Sequence, residues 1–228
     1  MGDQLQLKLE RSRTYRREDF VTSVANAQAV AALERWPQWH AGALCLVGPE
    51  GAGKTHLAQV WAAQAQAHVL SGPFPVETQP PPDQGPMLLE DADLLQDDEA
   101  LFHLINMAAR PGGGLLLTAR TLPASWNTRL PDLKSRLNAM SVAELGPPDD
   151  EVLTGVLRNL FRERSIRPSD ELLAYLVRRI DRSIPEARRT VELLDEAAAS
   201  AHKPVTRALA RQILETEPAS IDLFDNLF

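Results

Sequence analysis

The sequence predicts an α/β domain, a parallel sheet with helices on both faces, followed by a small all-helical domain. Three observations carry the prediction. An apolar run, Ala43 to Val47, leads through the glycine-rich Gly48 to Thr55 into a helix-favouring stretch. Further short apolar runs, Met87 to Asp91, Leu115 to Thr118 and Met140 to Leu145, alternate with helical patterns, and such alternation makes a parallel sheet covered on both sides. Past Pro147-Pro148 only helical spacing remains.

Taken in order, residues 1–17 read as a polar tail with arginines at 11, 13, 16 and 17. Within it Gln4 to Leu9 alternates, putting Leu5, Leu7 and Leu9 on one side of an extended strand. Asn26 to Trp36 is helical, with Ala29, Val30 and Leu33 on one face. The helix after the glycine loop is expected to run through Ala67, and His68 to Leu70 to begin a second strand. Ser71 to Pro86 holds six prolines, which exclude a helix or central strand and predict an extended surface loop. Met87 to Asp91 is a buried strand ending in carboxylates. Leu101 to Ala109 follows as a helix, Gly112 to Gly114 as a turn, Leu115 to Thr118 as a strand and Pro131 to Asn138 as a short helix. Beyond the last strand, Val152, Leu153, Val156, Leu157, Leu160 and Phe161 keep helical spacing, as do Leu172, Leu173, Leu176, Val177 and Ile180. Pro185 to Ala201 and Thr206 to Glu215 add two helices broken at Pro204. The domains so drawn are 18–146 and 147–215, and 216–228 is a second tail, acidic and hydrophobic.

A chain of 228 residues with 44% hydrophobic content has ample core for both domains. No apolar run approaches a membrane span and no apolar leader opens the chain, so neither membrane nor signal peptide is expected. The one cysteine, Cys45, lies in the apolar strand and reads as core, which suits a reducing, cytoplasmic setting. A net charge of −7 opposes a protein whose whole surface coats nucleic acid.

Gly48-Pro-Glu-Gly-Ala-Gly-Lys54-Thr55 has the spacing of a phosphate-binding loop between strand and helix. Glycines let backbone N–H groups approach an anion, and the helix that follows turns its positive end toward it. Lys54 would neutralise β and γ oxygens, and Thr55 would offer a hydroxyl to Mg²⁺. The pattern predicts a bound nucleoside di- or triphosphate. Glu90 and Asp91 close the strand MLLED; of the pair, one carboxylate would serve the Mg²⁺ shell and the other the attacking water. Thr118, polar at the end of Leu115-Leu-Leu, is placed to bond the γ-phosphate or that water.

These residues carry a resemblance. The chain resembles the DnaA family of AAA+ ATPases, over about residues 4–215, and within it the regulatory inactivators of the initiator. The resemblance rests on Tyr15…Phe20-Val21…Asn26, GPEGAGKTHL, LLEDAD, LLLTAR, Leu130-Pro-Asp-Leu-Lys-Ser-Arg136-Leu137 and Glu186-Ala-Arg188. It implies an AAA+ domain with a helical lid, ADP or ATP with Mg²⁺, and weak ATPase activity at most. Tyr15, Phe20, Val21 and Asn26 would surround adenine and ribose. Gly48, Pro49, Glu50, Gly51, Ala52, Gly53, Lys54, Thr55 and His56 would hold the phosphates. Glu90 matches the Mg²⁺-shell position, one methylene longer than the usual aspartate. Asp91 matches the catalytic acid, Thr118 the strand-end sensor, and Arg188 the lid sensor, with Arg189 its near rival. Arg136 resembles the arginine finger that acts on nucleotide held by a neighbouring molecule.

The resemblance also implies partners: the DnaA initiator, and the DNA polymerase sliding clamp (beta subunit) through Gln4, Leu5, Leu7 and Leu9. Lys8 stands where the clamp-binding peptide usually has proline. No stretch matches the family's helix-turn-helix domain, so sequence-specific DNA binding is not expected, while a homo-oligomer stays open. Three functions then compete: an inactivator that stimulates hydrolysis of DnaA-bound ATP, a nucleotide-bound scaffold that assembles replication proteins without stimulating it, and a free-standing DNA-remodelling ATPase.

Overall fold

The computed structural model describes residues 15–70 and 85–216. Gln4, Leu5, Leu7 and Leu9, all but the end of the proline-rich segment, and the C-terminal tail from 217 lie outside the described residues. Five strands form one parallel sheet: β1 (Ala43–Val47), β2 (His68–Leu70), β3 (Pro86–Leu89), β4 (Gly114–Ala119) and β5 (Ser141–Glu144), in the order β2-β3-β4-β1-β5. The central strand β4 and its neighbour β1 are buried at every position. That is why ALCLV and GLLLTA read as unbroken apolar runs instead of alternating ones.

Alternation along each strand divides the core in two. Cys45, Met87, Leu89, Leu115 and Leu117 face α3 (Asp98–Ala108) and α4 (Pro131–Ala139), where Leu101, Leu104, Leu133 and Leu137 meet them. Leu44, Leu46, Leu88 and Leu116 face the other way, onto Val30 and Leu33 of α1 (Ala27–Glu34) and Leu57, Ala58 and Trp61 of α2 (Lys54–Ala65). Helices therefore cover both faces. Cys45 is fully buried, and burial pushes its thiol pKa up to about 12, so it stays protonated and inert.

Several boundaries differ from the sequence reading, each for a local reason. Helix α2 stops at Ala65, not Ala67, because Gln66 turns left-handed (φ 53°) and its N–H returns to the carbonyl of Ala62. Strand β3 ends at Leu89, because Asp91 also turns left-handed (φ 50°); Glu90 and Asp91 thus sit in the turn beyond the strand. Helix α3 starts at Asp98, ahead of its first leucine, because Asp97 accepts from the Ala100 N–H and caps it.

The second domain is α5 (Asp150–Glu163), α6 (Asp170–Val177), α7 (Ile184–Ala201) and α8 (Arg207–Thr216). Leu157, Phe161, Leu173, Leu176, Val191 and Leu194 share its separate core. The first three helices are capped by side chains: Asp149 accepts from Val152 N–H, Ser169 from Leu172 N–H and Ser183 from Glu186 N–H. No helix among the described residues is long and apolar enough to cross a membrane.

Candidate nucleotide site

The carboxyl ends of β1, β3 and β4 lie side by side, which is where an open parallel sheet builds a ligand crevice. The loop leaving β1 needs its glycines: Gly51 and Gly53 have φ of +76° and +98°, a region that side chains avoid. Helix α2 starts at Lys54 with no side chain capping it, so its first N–H groups and the positive end of its dipole face the crevice. Lys54 is buried and its Nζ donates to the carbonyls of Gly48 (2.8 Å) and Pro49 (2.9 Å). Burial lowers the Lys54 pKa, Arg120 pushes it the same way, and Asp91, Asp93 and Glu50 oppose both. The uncapped helix start, the left-handed glycines and this half-compensated cation fit a phosphate chain.

Beside the loop lies a cavity of about 520 Å³, within the usual range for small-molecule sites. Tyr15, Phe20, Val21 and Asn26 line one side, Ala52 and His56 the floor, and Arg188 with Asn159 and Ile184 the lid side. The ring of His56 packs against Tyr15 at 5.4 Å and Phe20 at 5.6 Å, and its Nε2 is 2.8 Å from the Arg16 carbonyl. The Tyr15 and Phe20 rings are inclined to His56 at 74° and 60°, so the three line the cavity with aromatic edges and faces against which a purine can pack. Asn26 ties down the segment that precedes its own helix: its Oδ1 accepts from Ser23 N–H (2.9 Å) and its Nδ2 donates to the Val21 carbonyl (2.9 Å). Arg188 reaches Glu163 at 3.9 Å and lines the cavity; Arg189, one residue on, is exposed and does not.

The acidic turn differs in detail from the expected arrangement. Glu90 Oε1 accepts from Gln59 Nε2 at 2.7 Å. Gln59 is four residues after Thr55, hence one turn further along the same face of α2, so this carboxylate is turned toward the helix. Asp91 is exposed, and its N–H donates to Thr118 Oγ1 at 3.0 Å. Thr118 is itself buried, so the hydroxyl expected at the γ-phosphate straps the end of β4 to the acidic turn. The described residues contain no group of three or more His, Cys, Asp or Glu able to hold a metal. Thr55, Glu90 and Asp91 are hard oxygen donors, and such a set suits Mg²⁺ carried in on phosphates rather than caged by protein alone.

Arg136 stands apart from this crevice. It lies in the last turn of α4, is exposed, and stacks on the Phe102 ring at 5.7 Å. It has no ion-pair partner among the described residues.

Sequence reasoning missed the lid's share of the cavity. Asn159 donates to the Asp19 carbonyl at 3.1 Å, and Val152, Val156, Leu160 and Ile184 supply apolar surface. Apolar residues at helical spacing look the same whether they face their own core or a ligand, so no motif marks them.

No family model matches the sequence. Among solved structures, the fold is similar to domain III of the replication initiation protein DnaA from Thermotoga maritima. The TM-score is 0.70 at 20% identity, over 88% of this chain and 95% of that one. The RuvB Holliday junction branch migration motor of the same organism gives 0.69 at 17%, over 89% and 72%. AMPPCP-bound DnaA from Aquifex aeolicus gives 0.62 at 19%, over 79% and 65%. What the chain shares with all three at this distance is a fold, the P-loop α/β domain of AAA+ type.

Proposed function

We propose that this chain is a nucleotide-bound regulatory inactivator of the DnaA initiator, delivering Arg136 to ATP held by DnaA. The observation that carries the nucleotide half is the meeting of the aromatic cavity, the phosphate loop and Arg188 in one crevice. Among the fold's relatives, the DnaA of Aquifex aeolicus was solved with AMPPCP bound, which supports the same ligand class here. In this reading the base stacks among Tyr15, Phe20 and His56. The phosphates replace the two carbonyls on Lys54 and meet the first N–H groups of α2; Thr55 and Asp91, with Glu90 once released from Gln59, would hold the Mg²⁺. Bound Mg²⁺ supplies neutralising charge to the phosphates.

Glu90 tied to Gln59 and Thr118 buried beneath Asp91 favour weak turnover of the chain's own nucleotide. Activity is then directed outward. Arg136, exposed and without a carboxylate partner among the described residues, keeps its guanidinium available, and a guanidinium inserted in trans stabilises charge on a transferring phosphoryl group. The segment Gln4 to Leu9 would tether the complex to the sliding clamp by lending an extended peptide to an apolar groove.

The test measures ATP hydrolysis by DnaA on clamp-loaded DNA with wild type or Arg136→Ala. A fall in stimulation of about 100-fold or more is expected, since such fingers are worth roughly 10³ to 10⁵ in rate. Equal stimulation by both removes the finger from the mechanism. A scaffold that binds clamp and DnaA yet stimulates nothing is the second reading, and the same assay with wild type alone selects it.

A further inference from the structure

Arg120 has no role in the reading above, yet it stands at the open end of the phosphate loop. It follows β4 by one residue and is two residues beyond Thr118. Its N–H donates to Asp93 Oδ2 at 2.9 Å, which anchors its backbone beside the acidic turn. Its guanidinium lies 3.3 Å from Glu50 Oε2, and Glu50 is the third residue of GPEGAGKT, at the tip of the loop. Both side chains are more than half exposed, at 51% and 74%, so the pair is a weak and exchangeable one rather than a stabilising strut. Arg120 is also near enough to Lys54 for its charge to oppose protonation there. The loop thus has two cations, Lys54 and Arg120, among three carboxylates, Glu50, Asp91 and Asp93, and Glu50 is the one paired with the Arg120 side chain.

We propose that Arg120 is a second phosphate ligand, supplied in cis, which exchanges Glu50 for the terminal phosphate of a triphosphate. The inference rests on the nucleotide reading of the crevice and adds the group that tells three phosphates from two. Loop amides serve the inner phosphates in either nucleotide because they lie at the helix start, and Lys54 reaches the β oxygens of both as well as the γ oxygens of a triphosphate. Only the outermost phosphate comes to the loop tip, where Glu50 now sits. Charge decides the exchange: a terminal phosphate brings more negative charge than a carboxylate and accepts a bidentate guanidinium. With a diphosphate the tip is empty of phosphate, and Arg120 stays on Glu50. The Glu50–Arg120 pair is then a latch that a triphosphate opens and a diphosphate leaves shut.

The experiment compares binding of ADP and of the non-hydrolysable AMPPCP, each with Mg²⁺, to wild type, Arg120→Ala, Arg120→Lys and Glu50→Gln. Arg120→Ala should weaken AMPPCP by about tenfold, the scale of one lost charge-assisted contact. Its ADP affinity should stay within about twofold. Arg120→Lys should recover part of the AMPPCP loss. Glu50→Gln should tighten AMPPCP more than ADP, and that difference should vanish when Arg120→Ala is added. Equal losses for both nucleotides, or none, overturn the assignment of Arg120 while leaving nucleotide binding intact. Wild type that binds neither nucleotide overturns the underlying reading as well.

Discussion

The N–H of Ile184 donates to the carbonyl of Gly51 across 3.1 Å, so the first residue of α7 is bonded to the phosphate loop. A Cβ at Gly51 would come within 2.8 Å of Ser183 Cβ and 2.9 Å of Pro185 Cδ. The lid rests on the loop at a residue that has no side chain to hold it off.

Gly51→Ala should separate them. The left-handed backbone alone costs about 1–2 kcal/mol for alanine, and the two contacts add to it. Weaker binding of both ADP and ATP is expected, by about tenfold or more, together with a fall of several degrees in Tm. Isothermal titration and a thermal melt check this; unchanged affinity would mean that the lid does not need the loop.

Gly155→Ala probes the base end of the same closure. A Cβ on Gly155 in α5 would sit 2.7 Å from Val21 Cγ2 and 2.8 Å from Cγ1. Alanine in a helix gains about 1 kcal/mol of propensity over glycine, whereas overpacking a tight contact costs about 1–3 kcal/mol. Overpacking wins, and a net loss of stability with a weakened grip on the base is expected. A rise in melting temperature would show that Val21 gives way.

Lys54 makes a pH prediction. Burial is the main cause that lowers its pKa below 10.5 in the folded chain, so the folded state holds its proton less well than the unfolded one. The resulting cost is complete below the depressed pKa and disappears as pH rises to 10.5. Against Lys54→Met, which carries no such cost, wild type should gain relative stability as pH climbs through that window. Parallel melting curves across it would contradict the burial. The variant should also lose nucleotide binding at every pH.

Asp149 titrates in the opposite sense. Its carboxylate caps α5 through the Val152 N–H, the main cause of its lowered pKa, and accepts from the Ser23 hydroxyl at 2.7 Å. A depressed acid stabilises the fold above its unfolded pKa and loses that contribution as pH falls below 3.8 through the folded value. Asp149→Ala should cost about 1 kcal/mol near neutrality, the usual worth of such a cap. Denaturant titrations should show that deficit shrinking below pH 3.8.

Much of this was legible in the chain. The strand, glycine loop and helix from Ala43 to Ala65 came from local pattern, because the loop's backbone requires glycine and the buried strands require apolar residues on both faces. Boundaries failed at Gln66 and Asp91, where one left-handed residue ends an element without a glycine to announce it. For Thr118 and Glu90 the sequence gives no sign of the contacts they make. Their partners, Asp91 N–H and Gln59, are 27 and 31 residues away.

By itself the sequence determined the α/β class, the order of the strands along the chain, the glycine loop between β1 and α2, and the helical bundle that follows the sheet. All of these follow from rules that act within a dozen residues. The order of strands in space, the seating of α7 on Gly51, the choice of Arg188 over Arg189 as the cavity-lining arginine, and the Arg120–Glu50 pair were decided only by the tertiary structure. Each depends on a contact whose two halves are far apart in the chain, and nothing in either half alone carries the distance between them.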